Sequence, residues 1–188
     1  MNVRAILVAV AALCCWQGSA RAGLLNKDLD FVYVDGTLGA EYEHMGFVGV
    51  GPLASSKGAS DTWGLAYGAA AGFRLGKLSI GALYQRTDVM SGANNLDLNK
   101  LYAEAGLNLR LGILMIVLHA DVGWAFVNSG TSTFQGVGAK GGVALDFYPI
   151  RILSIGPNVD FDVQGYQLPS GFISSYGATF GLRVGLHI

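Results

Sequence analysis

The sequence predicts an all-β protein, an eight-stranded antiparallel up-and-down barrel that crosses a membrane, behind a cleaved signal peptide. Three observations predict it. The first is the alternation in the last thirteen residues, where Tyr176, Ala178, Phe180, Leu182, Val184, Leu186 and Ile188 are separated by Gly177, Thr179, Gly181, Arg183, Gly185 and His187. Successive side chains of a strand point to opposite faces, so this stretch has one apolar wall and one small, polar wall. Its seven apolar positions span roughly 40 Å, whereas a tilted strand crosses the hydrocarbon layer with about 9 to 11 residues. The second is hydropathy without a helix. The chain is 52% hydrophobic with a mean hydropathy of +0.43, yet its longest apolar run beyond the leader, Leu111 to Leu118, is closed by Arg110 and His119. Hydropathy spread as alternation is what lipid demands of strands, because a bilayer tolerates unpaired backbone groups in neither helices nor sheets. The third is the alternation of long and short connections.

Residues 1–22 have the organisation of a secretory signal. Arg4 supplies the basic start, Ala5 to Trp16 the short apolar run, and Ala20-Arg21-Ala22 the cleavage site before Gly23. Residues 23–188 then form a single barrel domain. Both cysteines, Cys14 and Cys15, fall in the leader, so the mature chain has neither a disulfide nor a thiolate metal site. Removing Arg4 and Arg21 leaves 10 basic against 13 acidic residues, a net charge of −3. That mild excess does not describe a nucleic-acid-binding protein.

The first strand runs from about Val32 to His44, with Val34, Leu38, Ala40 and Tyr42 on the apolar face and Asp35, Glu41 and Glu43 on the other. The second carries Trp63, Leu65, Tyr67, Ala69, Ala71, Phe73 and Leu75 on one face, against Gly64, Ala66, Gly68, Gly72 and Arg74. Gly76-Lys77 is a two-residue hairpin turn into a third strand, Leu78 to Thr87. The fourth, Asn99 to Leu111, sets Leu101, Ala103, Ala105, Leu107 and Leu109 against Tyr102, Glu104, Asn108 and Arg110. A reversal near Gly112 leads to the fifth, with Leu114 to Phe126 outward and His119 and Asp121 inward. The sixth, Val137 to Tyr148, points Lys140 and Asp146 inward. The seventh, beginning near Leu153, points Asp160 and Asp162 inward. Pro157 interrupts it on the apolar face, where it removes a ladder hydrogen bond and calls for a bulge or a later start.

Long connections are expected at 46–61, 88–97, 128–135 and 165–173, and short ones at the other end, the arrangement of bacterial outer-membrane barrels. Tyr42, Trp63, Tyr84, Trp124 and Tyr176 gather at the long-connection end and Phe73 and Phe147 at the short-turn end, as two interfacial girdles. A soluble barrel with its apolar face inward would carry a charge-dense outer face. Here the second face is glycine, alanine and serine with isolated charges, which suits the interior of a narrow barrel.

With that pattern the chain resembles the small OmpA/OmpX-type outer-membrane barrels over its whole mature length, in architecture rather than in a specific motif. Thr179, Gly181, Val184 and Leu186 match the spacing of that family's C-terminal assembly signal, although aliphatic residues and Ile188 stand where the family usually has aromatics. The resemblance implies a monomer in the outer membrane of a Gram-negative bacterium, in contact with lipid and lipopolysaccharide and delivered by the barrel-assembly machinery.

The ionisable inward residues are the only chemical candidates. Asp35, Glu41, Glu104, His119, Asp121, Lys140, Asp160 and Arg183 form a polar lumen cluster, joined by Glu43, Arg74, Arg110, Asp146, Asp162 and His187. Such charges are costly unless paired, so a structural plug of ion pairs is expected. Closure of the barrel places Arg183 against Asp35 or Glu41 on one side and Asp160 on the other. No cofactor, metal or catalytic residue is expected. A nucleophile requires an adjacent base, and the inward serines, Ser79 and Ser154, lie at the wrong depth for His119 and Asp121. A structural or surface-interaction role follows, with a small conduit as the alternative and a lipid-modifying enzyme behind it.

Overall fold

The computed structural model describes residues 32–49, 57–89, 96–129, 132–168 and 171–188. The expected signal peptide at 1–22 and the lead-in before Val32 lie outside the described residues. Eight strands follow in chain order: β1 (Val32–Gly49), β2 (Lys57–Leu75), β3 (Leu78–Val89), β4 (Leu96–Leu111), β5 (Leu114–Ser129), β6 (Ser132–Ile150), β7 (Leu153–Leu168) and β8 (Gly171–His187). Each pairs antiparallel with its neighbours, and β1 and β8 close the ring. The seam runs unbroken from Tyr33 opposite His187 to Gly49 opposite Gly171. It is finished by reciprocal backbone hydrogen bonds of 2.9 Å between Val32 and Ile188.

Two of the three short turns depend on glycine. Gly76 and Gly112 have φ of +66° and +67°, the left-handed value that a two-residue hairpin turn needs and that glycine takes without a Cβ clash. The third turn, Arg151-Ile152, has no glycine. Its hairpin changes register between Phe147 and Ile150, a segment that holds Pro149. Pro157 lies outside that shift, between pairs that keep one register. It stays inside β7, opposite Leu182 of β8, while the β6–β7 ladder records no partner for it between the Ala144–Asn158 and Phe147–Ile155 pairs. The strand starts where the alternation places it, and the ladder gives way beside the proline.

The two walls divide as the alternation requires. Outward residues are large and apolar, including Trp63, Phe73, Tyr84, Trp124, Phe147, Phe161, Tyr176 and Phe180, all exposed. An apolar surface of this extent is incompatible with water and belongs in lipid. At the long-connection end Tyr42 lies opposite Trp63, with ring centroids 5.4 Å apart. Leu101 lies opposite both Tyr84 and Trp124, so the outer girdle runs level across neighbouring strands.

The expected long connections are mostly strand. Gly46 pairs with Ala59 and Val48 with Lys57, β3 and β4 extend to Val89 and Leu96, and β7 and β8 reach Leu168 and Gly171. Beyond the girdle the outward face no longer meets lipid, so polar residues there are compatible with continued pairing. The segments 50–56, 90–95, 130–131 and 169–170 lie outside the described residues. A strand of 19 residues, such as β2, is about 60 Å long, well over what a bilayer requires, so the barrel carries a polar collar past the girdle. On that collar Tyr42 donates to Asp61 Oδ1 at 2.7 Å, His44 Nδ1 lies 2.5 Å from the same oxygen, and Arg86 donates to Asp88 and Asp97 at 2.8 and 2.9 Å.

Candidate functional site in the barrel lumen

Small residues on the inner face make room for large ones. Tyr33, Tyr102 and Tyr166 are fully buried. A Cβ at Gly72 would come within 2.7 Å of the Tyr33 hydroxyl, and one at Gly138 within 2.6 Å of the Tyr102 hydroxyl, closer than side chains approach. The glycine-rich inner face is thus the receptor for a few bulky polar side chains. It is not empty space.

Those side chains form layers. At the short-turn end Arg74 Nη1 lies 3.1 Å from the Tyr148 hydroxyl and 3.2 Å from His187 Nδ1, while Ser154 Oγ lies 2.8 Å from His187 Nε2. A buried serine against a histidine looks like a nucleophile with its base, but the third partner has the wrong polarity. Arginine only donates, so Nδ1 accepts from Arg74. In the neutral ring the proton then sits on Nε2, which donates to Ser154 instead of taking its proton. A catalytic pair needs the opposite tautomer, held by an acceptor. Ser154→Ala is expected to cost about 1 kcal/mol, one neutral hydrogen bond, as a shift in the urea midpoint of the refolded barrel.

The next layer holds Arg183, whose Nη2 lies 2.7 Å from Asp35 Oδ2 and 3.6 Å from Asp146 Oδ2. The expected Asp35 partner is present. Asp160 and Glu41 are not partners, because the register places Thr37 and Gly156 beside Arg183 and the guanidinium reaches toward the short-turn end. Tyr33 donates to Glu104 Oε1 at 2.8 Å. In the middle, His119 is held between two carboxylates, Nδ1 at 3.0 Å from Asp121 Oδ2 and Nε2 at 3.0 Å from Asp160 Oδ1. Satisfying both requires a proton on each ring nitrogen, so this ring is a cation. Lys140 joins the layer, 2.8 Å from Asp160 Oδ2, and donates to Gln85 Oε1 at 2.7 Å.

The tightest layer centres on a residue that the sequence reading left out. Lys100 is completely buried and donates to Glu41 and, at 2.6 Å, to Asp162 Oδ2, with Glu43 Oε2 at 3.8 Å. Gln85 and Thr87 each donate to Glu41 Oε2 at 2.6 Å. Lys100 shares the parity of Tyr102 and Glu104, and that was the available signal. All eight members of the expected lumen cluster point inward, seven of them in ion pairs and Glu104 bonded to the Tyr33 hydroxyl.

Glu104, His119 and Asp121, and likewise Glu41, Glu43 and Asp162, bring potential ligand atoms within 4.8 Å of one another. In both sets a protein cation already stands among the oxygens, His119 itself in one and Lys100 in the other, so they are ion-pair sites.

The lumen is not polar throughout. Past Lys100 it is filled by Val89, Leu98, Ala125, Val127 and Tyr166, all buried, with Met45, Leu96, Phe134, Leu168 and Ile173 packed around them. Most of these residues sit in or beside the stretches expected to be connections, which is why the inner apolar cap was not anticipated.

No protein-family model and no curated protein matches this sequence. Solved structures do match in shape. Neisserial surface protein A aligns over 84% of this chain and 97% of its own, with a TM-score of 0.52 and 17% identity. The fold is that of the small eight-stranded outer-membrane barrels. The N-terminal barrel domain of OprF from Pseudomonas aeruginosa aligns over 76% of this chain and 96% of its own, with a TM-score of 0.39 and 18% identity. The outer-membrane protease OmpT from Escherichia coli aligns over 89% and 100%, with a TM-score of 0.48 and 8% identity. At these identities the likeness is one of fold, and the barrel's role has to be argued from its own residues.

Proposed function

We propose that this chain is an integral barrel of a Gram-negative outer membrane, exported by its N-terminal signal, that acts as a monomer through structure and surface contact. It neither transports nor catalyses. The observation that carries this reading is the filled lumen: stacked hydrogen-bonded and ion-paired layers from His187 to Lys100, closed at the far end by the buried apolar cluster around Leu98 and Tyr166. A conduit needs a continuous polar path, which the cap interrupts. A catalyst needs a nucleophile facing a base, and the Ser154–His187 pair is polarised the other way.

The polar collar supports surface contact. It holds His44, Asp61, Arg86 and Asp97 on paired strands past the girdle, a rigid platform for partners outside the bilayer. Lipid and lipopolysaccharide are the partners of the wall below it. The assembly machinery is the partner of β8, whose Val184 and Leu186 are exposed on the apolar face while Thr179 points inward. In planar-bilayer recordings the refolded mature chain is expected to show no conductance steps. Reproducible single-channel steps from the wild-type barrel overturn the filled-lumen reading.

A further inference from the structure

The Lys100 layer leaves one carboxyl group without a donor. Glu43 is 1% exposed, and among the described residues neither of its side-chain oxygens has a hydrogen-bond partner. The Lys100 ammonium stands 3.8 Å from its Oε2, beyond a hydrogen bond, because it is bonded to Glu41 and Asp162 instead. Asp162 Oδ1 is also buried without a partner. The register brings these oxygens together. Glu43 lies opposite Gly177 on β8, and Gly177 lies opposite Asp162 on β7. A Cβ at Gly177 would collide with Glu43 Oε2 and Asp162 Oδ1 at once, so the glycine opens a space that the two carboxyl groups share.

Ionising all three acids would set three negative charges against one ammonium, and a buried carboxylate without a donor is far costlier than its neutral acid. The groups packed around Glu43 bring no charge to offset it. Tyr102 of β4 and Tyr166 of β7 are phenols, and Thr62 of β2 and Ser175 of β8 are hydroxyls. Lys140 of β6 is committed to Asp160 and Gln85. Glu41 accepts from Lys100, Gln85 and Thr87, and Asp162 Oδ2 accepts from Lys100, bonds that favour the charged form of both. Glu43 is the member that no donor holds ionised. We propose that Glu43 is a proton-binding site of the lumen, its carboxylic acid donating to Asp162 Oδ1 across Gly177, and that loss of this proton loosens the layer beneath the apolar cap. The plug thereby responds to pH. An unfolded glutamate is ionised at neutral pH, so folding captures a proton, and stability falls as the pH rises.

Glutamate is rare enough in this chain for a direct test. Its only glutamates are Glu41, Glu43 and Glu104, so carbon-13 at the glutamate carboxyl gives one resonance for each in the refolded barrel in micelles. The expected result at neutral pH is a single resonance at the carboxylic-acid position, which moves to the carboxylate position as the pH is raised and is missing from Glu43→Gln. Urea titration supplies the second readout. The wild-type folding constant is expected to fall by up to about tenfold per pH unit, the linkage of one proton, over the range in which that resonance titrates. Glu43→Gln keeps an N–H donor toward Asp162 and cannot ionise. It is expected to lose that slope, which separates Glu43 from alkaline loss of the Lys100 charge. Carboxylate positions for all three glutamates at neutral pH overturn the proposal from the wild-type spectrum alone, whether or not the variant folds. An acid resonance or a slope that survives Glu43→Gln overturns it as well. Each of these results leaves the filled lumen and the membrane reading intact.

Discussion

Lys100→Met is expected to destabilise the barrel by about 3–5 kcal/mol, the cost of removing one partner from a buried ion pair. The ammonium is fully buried and stands among three carboxylates, Glu41, Glu43 and Asp162, of which Glu41 and Asp162 accept its hydrogen bonds. Methionine keeps much of the length and apolar volume of the lysine stem, so the measured loss reflects charge more than a cavity. Among the described residues no spare cation stands in this layer. Eight buried carboxylates, Asp35, Glu41, Glu43, Glu104, Asp121, Asp146, Asp160 and Asp162, share the lumen with Arg74, Lys100, Lys140 and Arg183 and the His119 cation. Lys140 is committed to Asp160 and Gln85 one layer away. Urea titration of the refolded barrel measures the loss. Adding Glu41→Gln and Asp162→Asn to Lys100→Met is expected to recover most of it, and that non-additivity identifies the effect as charge coupling. A Lys100→Met barrel as stable as wild type would mean that the layer is well solvated and that the plug does not hold the barrel together.

The fold was legible because lipid and lumen impose opposite demands on alternate residues, and the chain obeys both over long stretches. Phe180, Leu182 and Val184 needed only their spacing to be placed outside, and Gly181 and Arg183 to be placed inside. The signal faded where the outward demand stopped. Past the girdle, Asp61, Asp88 and Asp97 point outward from paired strands, so polarity there read as loop. Partner choice in the lumen was less legible than direction. Arg183 could reach Asp35 or Glu41 equally well from parity alone. Only the stagger of β8 against β1 and β7, together with the tilt of the side chain, selects Asp35 and Asp146. The pairing of Ser154 with His187 was hidden for the same reason. Their positions are fixed by the closing seam and not by any local pattern.

Val143→Arg is expected to cost about 2–4 kcal/mol in a bilayer, and Val137→Arg about 0–1 kcal/mol. Both side chains point outward from β6 and are exposed, Val143 at 46% and Val137 at 66%, so on solvent exposure alone Val137 offers at least as much apolar surface. They differ in depth. Val137 lies opposite Trp124, in the outer girdle, whereas Val143 lies between that row and Phe147 at the other interface, near the hydrocarbon centre. An arginine at the girdle reaches headgroups with its guanidinium, and one at the centre must drag water or thin the bilayer. The expected order, with the more exposed site the more tolerant, follows from a depth-dependent solvent. In a water-soluble barrel an arginine at either position would be nearly free, because the side chain would simply extend into solvent. Reversible denaturation of the two variants in phospholipid vesicles distinguishes these cases directly. Equal and small losses at Val143 and Val137 would remove the membrane from the account of the outer wall, and with it the girdles.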